Sequence, residues 1–232
     1  MTKDKKPKWS AFEIILIVIG PLSVLVTGLV FGSNALTMIS SILTIFAVML
    51  VAKGLIVGNI IGLFSSVLYA IVSYLNGFYG EMIINFALTL PMYIWAIIEW
   101  SRNKNEKTNT VEIGHMKVKE YILIFLAIIP VFIGFYFLLQ ALGTNQLVLS
   151  TLSLIDDVFA VFLIARRCKV GFVLYCIDDI VLIALWGLPV LGGNLALFAM
   201  LVNPIMSLVV DIYGVVNWHR LQKKQTEIKS NS

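Results

Sequence analysis

Apolar residues along this chain form eight long blocks that carry little charge and are separated by short polar connections. Each block is close to the roughly 20 residues that an α-helix needs to cross about 30 Å of hydrocarbon. None shows the alternation of apolar and polar residues that is typical of transmembrane β-strands. The pattern therefore predicts eight transmembrane helices: Ala11–Phe31, Asn34–Val51, Leu55–Asn76, Glu81–Ile98, Lys119–Leu142, Gln146–Ala165, Val170–Leu188 and Gly193–Trp218.

Composition agrees with this pattern. Hydrophobic residues make up 59% of the 232 positions and charged residues only 13%, whereas soluble domains carry about a quarter charged residues. The first block follows a basic start, but its apolar core is too long for a signal peptide and lacks a small-x-small cleavage pattern. We expect it to remain as a helix in an all-α membrane protein that crosses the lipid bilayer several times.

The 17 Lys and Arg residues indicate the orientation. They lie in the N-terminal tail, in the second, fourth and sixth connections, and in the C-terminal tail, while the odd connections contain none. Because cytoplasmic loops are enriched in Lys and Arg, this distribution predicts that both termini are cytoplasmic. The net charge of +4 follows from this topology and gives no reason to propose nucleic acid as a partner.

An internal repeat relates the second block to the sixth. The segment Ser40–Gly58 matches Ser153–Gly171 without a gap at an offset of 113 residues (153 − 40), and the same offset pairs Pro91 with Pro204. Four crossings separate equivalent helices, so the copies share one orientation, as in transporters built from parallel repeats. The predicted organisation is a tail with an extra helix (residues 1–33), a first three-helix bundle (34–100), a cytoplasmic loop (101–118), a linker helix (119–143), a second bundle (144–218) and a cytoplasmic tail (219–232).

Charged residues inside the predicted membrane region are acidic. A charge at mid-bilayer costs roughly 2.5–3.5 kcal/mol on insertion scales, so such a residue usually faces a cavity or a partner. The equivalent positions of the first repeat are uncharged, which predicts that the acidity belongs to the second half alone. These aspartates are Asp156, Asp157, Asp178, Asp179 and Asp211.

Other polar residues follow single helical faces. Asn85, Thr89 and Tyr93 step by four in helix 4, with Trp95 nearby, and Asn203 begins a similar row in helix 8. Such rows either pack helices or contact a ligand. We expect Trp95, Trp100 and Trp218 to lie near cytoplasmic helix ends, where aromatic belts are common. The longest row, in helix 3, is Asn59, Gly62, Ser66, Tyr69, Ser73 and Asn76.

These groups favour a flat polar organic ligand, because aromatic planes stack on rings, amides bind hydroxyls and carboxamides, and carboxylates favour cations. A nucleoside, a vitamin or a small sugar would each fit. No spacing suggests a metal site or a cofactor. Two rival classes are a membrane-embedded enzyme, whose DDxxD or GxGD motifs are not found, and a proton-coupled transporter that titrates the aspartates.

The duplicated core resembles the PnuC-type nicotinamide riboside transporters. The resemblance covers about Ser40–Trp218 and includes the stretches FYGEMIINF (Phe78–Phe86) and YIWAIIEW (Tyr93–Trp100). It implies a fold similar to the SWEET sugar carriers, a homotrimer in the bacterial cytoplasmic membrane, and facilitated diffusion made one-way by a cytosolic kinase. Helix 1 corresponds to the extra N-terminal helix of some members.

Two departures concern the ligand. Members that carry nicotinamide riboside often have Trp-x-x-Trp at the start of helix 7, where this chain has Gly171–Leu174 followed by Tyr175, and Asn85 replaces a typical Gln. Relatives for thiamine and for deoxynucleosides are the alternatives. The working hypothesis is a uniporter whose substrate-binding residues are Asn85, Thr89, Tyr93, Trp95, Asp157, Tyr175, Asp178 and Asn203.

Overall fold

A computed structural model describes residues 9–230, apart from the side chains of Ile84 and Lys229. The predicted basic tail at residues 3–8 lies outside this range. Within it, eight helices are long and apolar enough to cross a membrane, which confirms the predicted number and fold class. The helices are α1 (Ala11–Phe31), α2 (Ala35–Ala52), α3 (Ile56–Leu75), α4 (Tyr79–Arg102), α5 (Val118–Ala141), α6 (Leu147–Ala165), α7 (Gly171–Leu191) and α8 (Phe198–Ser230).

Six of these helices form a closed ring. In ring order α2, α3, α4, α6, α7 and α8 each pack on the next, and α8 packs on α2 to close the circle. Helix α3 therefore lies opposite α7, and α4 lies opposite α8. Helix α1 packs outside the ring on α2 and α8, and α5 packs outside it on α6.

The described Lys and Arg residues collect at one end of the ring. This end, called the basic end below, carries the α2–α3, α4–α5 and α6–α7 connections and the C-terminal turns of α8. The opposite end carries the remaining connections. Lys53 at the basic end donates to Glu13 of α1 over 2.6 Å, and Tyr213 of α8 also donates to Glu13, so this buried group fastens α1 to the ring.

The turns that end α2 and α6 are alike at the predicted offset of 113. Helix α2 ends at Ala52 and α6 ends at the equivalent Ala165. Each is followed two residues later by a left-handed residue, Gly54 with φ 77° and Arg167 with φ 62°. A duplicated unit predicts this correspondence.

Equivalent glycines bring the next helix close to each turn. A methyl group on Gly58 would lie 2.8 Å from the carbonyl oxygen of Ala47, and one on Gly171 would lie 2.9 Å from that of Ala160. Both distances are too short for a real side chain, so the close packing of α3 on α2 and of α7 on α6 requires glycine.

Helix α4 departs from its counterpart α8. A π-helical segment, Ile84–Thr89, lies between α-helical Tyr79–Ile83 and Leu90–Arg102. Pro91 has no N–H group for the preceding turn, and Leu90 donates five residues back to Asn85. Around Pro204, α8 remains α-helical. π-Helical turns are frequent at functional sites, and this one carries two predicted binding residues.

The C-terminal segment is not a free tail where it is described, because α8 continues 12 residues beyond Trp218, to Ser230. The connection 101–118 contains a small antiparallel hairpin, β1 (Lys104–Asn105) with β2 (Thr110–Val111). Buried Gln225 of α8 donates to the Val111 carbonyl over 2.9 Å and accepts from the Ile113 N–H over 3.0 Å. These bonds attach the connection to α8.

A polar cavity inside the helix ring

A cavity of about 110 Å³ lies inside the ring, and all six ring helices contribute to its wall. Seven of the eight predicted substrate-binding residues line it, although they come from four helices. The seven are Asn85, Thr89, Tyr93, Asp157, Tyr175, Asp178 and Asn203. The structure therefore brings together residues that the sequence grouped only by helical face.

One hydrogen bond joins the two halves within this wall. Thr89 of α4 donates to a carboxylate oxygen of Asp157 of α6 over 2.7 Å. Thr89 occupies the last position of the π-helical segment, so the irregular turn sets the position of this hydroxyl group.

The polar row of α3 also faces the cavity, but only in part. Asn59, Gly62, Ser66 and Tyr69 line the wall. A methyl group on Gly62 would lie 2.5 Å from the ring of Tyr93, so glycine is required for this ring to pack against α3. Ser73 lies one turn further towards the opposite end and is buried outside the cavity.

Trp95 does not join this group, which corrects the expectation that it stacks on a ligand. Successive helical residues are about 100° apart, so a side chain two positions after Tyr93 points to the far side of α4. Trp95 packs against Phe162, with ring centroids 5.7 Å apart. It lines a separate space at the basic end together with Arg166 and Arg167.

Trp100 and Trp218 do not form an aromatic belt, because both are 0% exposed. The indole N–H of Trp100 donates to the carbonyl of Ile164 over 3.1 Å, and that of Trp218 donates to the carbonyl of Val51 over 3.2 Å. Val51 and Ile164 are equivalent positions at the offset of 113. Trp100 of the first half therefore binds the end of α6 in the second half, and Trp218 of the second half binds the end of α2 in the first half.

The wall of the cavity is acidic. Asp178, Asp179 and Asp211 are at most 5% exposed, and each has a carboxylate oxygen without a hydrogen-bond partner among the described residues. No Lys, Arg or His side chain occurs among the described residues that line the cavity. A buried carboxylate without a cation is costly, so this wall favours a positively charged ligand.

Glu81 is a wall residue that the sequence reasoning missed. It is 2% exposed and belongs to the first half, which corrects the expectation that the acidity is confined to the second half. The signal was present in the sequence, because Glu81 stands four residues before Asn85 and extends the row through Thr89 and Tyr93 by one turn. It was overlooked because it begins an apolar block.

Unpaired amide groups complete the wall. Asn59 Nδ2 and Asn203 Oδ1 are buried and have no hydrogen-bond partner among the described residues. Buried polar groups are normally paired, so a donor and an acceptor remain for a ligand. Together with the rings of Tyr93 and Tyr175, the wall suits a compact, polar, cationic molecule that contains a flat ring.

Comparisons with known proteins agree with this architecture. A sequence profile of the family described as Nicotinamide mononucleotide transporter matches residues 34–220. A nicotinamide riboside transporter PnuC from Neisseria mucosa is 25% identical over 223 residues, which cover 94% of this chain and 84% of that protein. A nicotinamide riboside transporter PnuC from Haemophilus influenzae is 26% identical over 218 residues, and the match covers 93% of each of the two chains.

The fold also matches a crystal structure of the vitamin B3 transporter PnuC. The TM-score is 0.80, the sequence identity is 24%, and the match covers 94% of both chains. A match of this extent shows the same arrangement of helices. Since the family profile covers most of the chain and the fold agrees, the chain belongs to the Nicotinamide mononucleotide transporter family of membrane transporters, as its resemblance to the PnuC-type carriers indicated.

Proposed function

We propose that this chain carries nicotinamide riboside across the membrane by facilitated diffusion. The single observation that carries the proposal is the acidic cavity between the two halves of a chain from this transporter family, whose described lining holds no Lys, Arg or His. Nicotinamide riboside has one positive charge on its pyridinium ring and no phosphate. The names of the two curated relatives support the same substrate.

The acidic lining of the cavity also distinguishes nicotinamide riboside from nicotinamide mononucleotide, the compound in the family's description. A phosphate group is normally bound by Arg, Lys or backbone N–H groups. The described lining offers no Lys or Arg and several carboxylates, so a phosphate would be repelled and would leave the carboxylates unpaired. The unphosphorylated riboside is therefore the substrate we propose, and phosphorylation by a cytosolic kinase would trap it inside the cell.

The wall residues divide by chemistry. Tyr93 and Tyr175 would stack on the ring, and Asp157 and Asp178 would favour its charge. Asn85, Thr89 and Asn203 would bind ribose hydroxyls or the carboxamide. Rocking of one half against the other would expose the cavity to each side in turn, as in other carriers built from repeats.

Uptake into proteoliposomes tests this proposal. Labelled nicotinamide riboside should equilibrate across the membrane whether or not a pH gradient is imposed, and nicotinamide mononucleotide should not enter. A protein that moves neither compound would overturn the proposal. Thermal-shift measurements against nicotinamide riboside, thiamine and a deoxynucleoside would then rank the alternative substrates.

A proton-coupled carrier is the second candidate, because the wall contains more carboxyl groups than one positive charge requires. It predicts that an acidic exterior drives nicotinamide riboside above its equilibrium concentration inside the liposome. A uniporter reaches the same equilibrium at every gradient, so one experiment distinguishes the two.

The orientation is part of the proposal. With both termini in the cytoplasm, the Arg102–Lys119 segment and the Arg166–Lys169 turn should react with an impermeant label from the cytoplasmic side. If the first faced the exterior and the second the interior, the halves could not share one orientation and the carrier proposal would fail. The proposed homotrimer is testable by the mass of the detergent-solubilised protein.

A further inference from the structure

Glu81 of α4 is placed to act on the substrate from the half opposite the aspartates. Its side chain is 2% exposed and lines the cavity, and one carboxylate oxygen has no hydrogen-bond partner among the described residues. Of the described ion pairs, which join Lys53 to Glu13, Arg166 to Glu120 and Arg167 to Glu99, none includes it. Its carboxyl group therefore has no cationic partner among the described ion pairs.

The neighbours of Glu81 strengthen this argument. Ser153 of α6 lies close to the carboxyl groups of both Glu81 and Asp178. The two acidic groups thus approach one part of the cavity from α4 and α7. A positive charge between them would relieve the cost of keeping carboxylates in a dry interior, whereas a neutral ligand would leave that cost in place.

We propose that Glu81 determines the preference for a positively charged ring, together with Asp178. This proposal rests on the proposed function and adds a specificity-determining residue from the first half. The equivalent residue of the second half is Asn194, which lies in the α7–α8 connection outside the cavity lining, so the repeat could not have indicated Glu81.

Two ligands of the same shape test the proposal. Nicotinamide riboside is cationic, and its 1,4-dihydro form is neutral. Glu81→Gln should reduce binding and uptake of nicotinamide riboside by about tenfold or more and should change those of the dihydro form by less than about threefold. Glu81→Asp should restore most of the preference.

A matched control is Asn85→Ala, which removes an uncharged group one turn away and should weaken both ligands equally. Equal losses of both ligands in Glu81→Gln would overturn the specificity role. If the unmodified protein bound neither compound, the proposed function would fail instead, so the two failures are distinguishable. Melting temperatures of all variants identify any that do not fold.

A separate set of contacts concerns the two ends of the cavity. At the end opposite the basic end, the indole N–H of Trp186 of α7 donates to the hydroxyl of Tyr69 of α3 over 2.7 Å. Phe78 packs on the same indole with ring centroids 4.6 Å apart. Because α3 and α7 are opposite one another in the ring, this buried pair spans the ring beside the cavity, which Tyr69 lines.

The basic end has a corresponding pair. Trp100 of α4 and Trp218 of α8 also come from opposite helices, and their ring centroids are 5.5 Å apart. Phe172 packs on Trp218 at 5.0 Å and also lines the cavity. We infer that the pairs Tyr69–Trp186 and Trp100–Trp218 are the two gates of the carrier, which separate in turn while the other stays closed.

Cysteine accessibility tests this inference. The chain has two cysteines, Cys168 and Cys176, which are both replaced by serine in the background used. Ser66→Cys then places a single thiol in the cavity, and an impermeant thiol reagent is applied from either side. Trp186→Ala should raise the labelling rate from the side opposite the basic end by about tenfold. Trp218→Ala should raise the rate from the basic end by a similar factor.

Trp95→Ala is the matched control, because Trp95 lies outside both pairs, and it should change neither rate. Tyr69→Phe removes only the hydroxyl that Trp186 binds and remains informative if Trp186→Ala does not fold. It should raise labelling on the same side, more weakly. Increases from both sides, or unchanged rates in folded variants, would overturn the assignment of gates.

Discussion

The two halves of the ring have matching turns after α2 and α6 and differ in the chemistry that they present to the cavity. Three equivalent pairs at the offset of 113 all line the wall, with a hydroxyl in the first half and a carboxyl in the second. The pairs are Thr44 with Asp157, Ser65 with Asp178, and Ser66 with Asp179. The turns and glycines at helix contacts are thus alike in the two halves, whereas these residues that face the cavity differ.

The exchange of hydroxyl for carboxyl groups changes which side chains of the wall find a hydrogen-bond partner. In the first half, the hydroxyls of Thr44 and Ser65 are 2.6 Å apart and bind each other. The equivalent Asp157 and Asp178 cannot pair in this way as carboxylates, because like charges repel. Asp157 instead accepts from Thr89 of the other half, and Asp178 keeps an unpaired oxygen. At these two positions the first half therefore pairs its hydroxyls within itself, whereas the second half presents carboxyl groups to the cavity.

The largest expected effect is that of a substitution at Asp178, compared with one at the equivalent residue Ser65. Asp178→Asn should reduce uptake of nicotinamide riboside by about tenfold or more, because it removes a charge-assisted contact. Ser65→Ala should change uptake by less than about threefold, because that hydroxyl is occupied by Thr44. Uptake of the neutral dihydro form is the reference, and an equal loss of both ligands in Asp178→Asn would reject the charge role.

The matching turns and close contacts predict equal effects at the two close-packed glycines. Gly58→Ala and Gly171→Ala should each destabilise the protein by about 1–3 kcal/mol, because the added methyl group overpacks a helix interface. Melting temperatures of the purified variants in detergent measure this effect. A marked difference between the two variants would show that the halves do not pack alike.

The tryptophans at the basic end predict a smaller matched effect. Trp100→Phe and Trp218→Phe should each cost about 1–2 kcal/mol, because each removes a buried indole hydrogen bond to the carbonyl of Ile164 or Val51, which keeps only its backbone donor. Trp95→Phe is the control and should cost less, since no hydrogen bond of its ring nitrogen is described. Losses confined to one of the two buried tryptophans would contradict a matched role of the two hydrogen bonds.

The smallest effect concerns the bond that joins the halves within the wall. Thr89→Val keeps the shape of the side chain but leaves Asp157 without its donor, so the affinity for nicotinamide riboside should change by about two- to fivefold. Binding titrations on the purified protein measure it. Thr44→Val is the control, because Thr44 bonds within its own half, and an equal change there would remove the special role of Thr89.

The predictions from sequence were wrong where they depended on which face of a helix a side chain occupies. Trp95 is close to Tyr93 in sequence and lies on the other face of α4. The indoles of Trp100, near the end of α4, and of Trp218, 12 residues before the end of α8, could face lipid or the ring interior, and both are buried. The π-helical segment before Pro91 could not be predicted, because its residues also form ordinary α-helices.

The sequence by itself determined the eight crossings, the segregation of the basic connections and the predicted repeat. It could do so because a bilayer interior requires each crossing segment to be apolar and helical, and this requirement can be read along the chain. Only the tertiary structure decided that six helices close into a ring, that Glu81 joins the aspartates at one cavity, and that aromatic residues of opposite helices pair across the ring. These features depend on which helical faces meet, and such contacts join residues that are far apart in the chain.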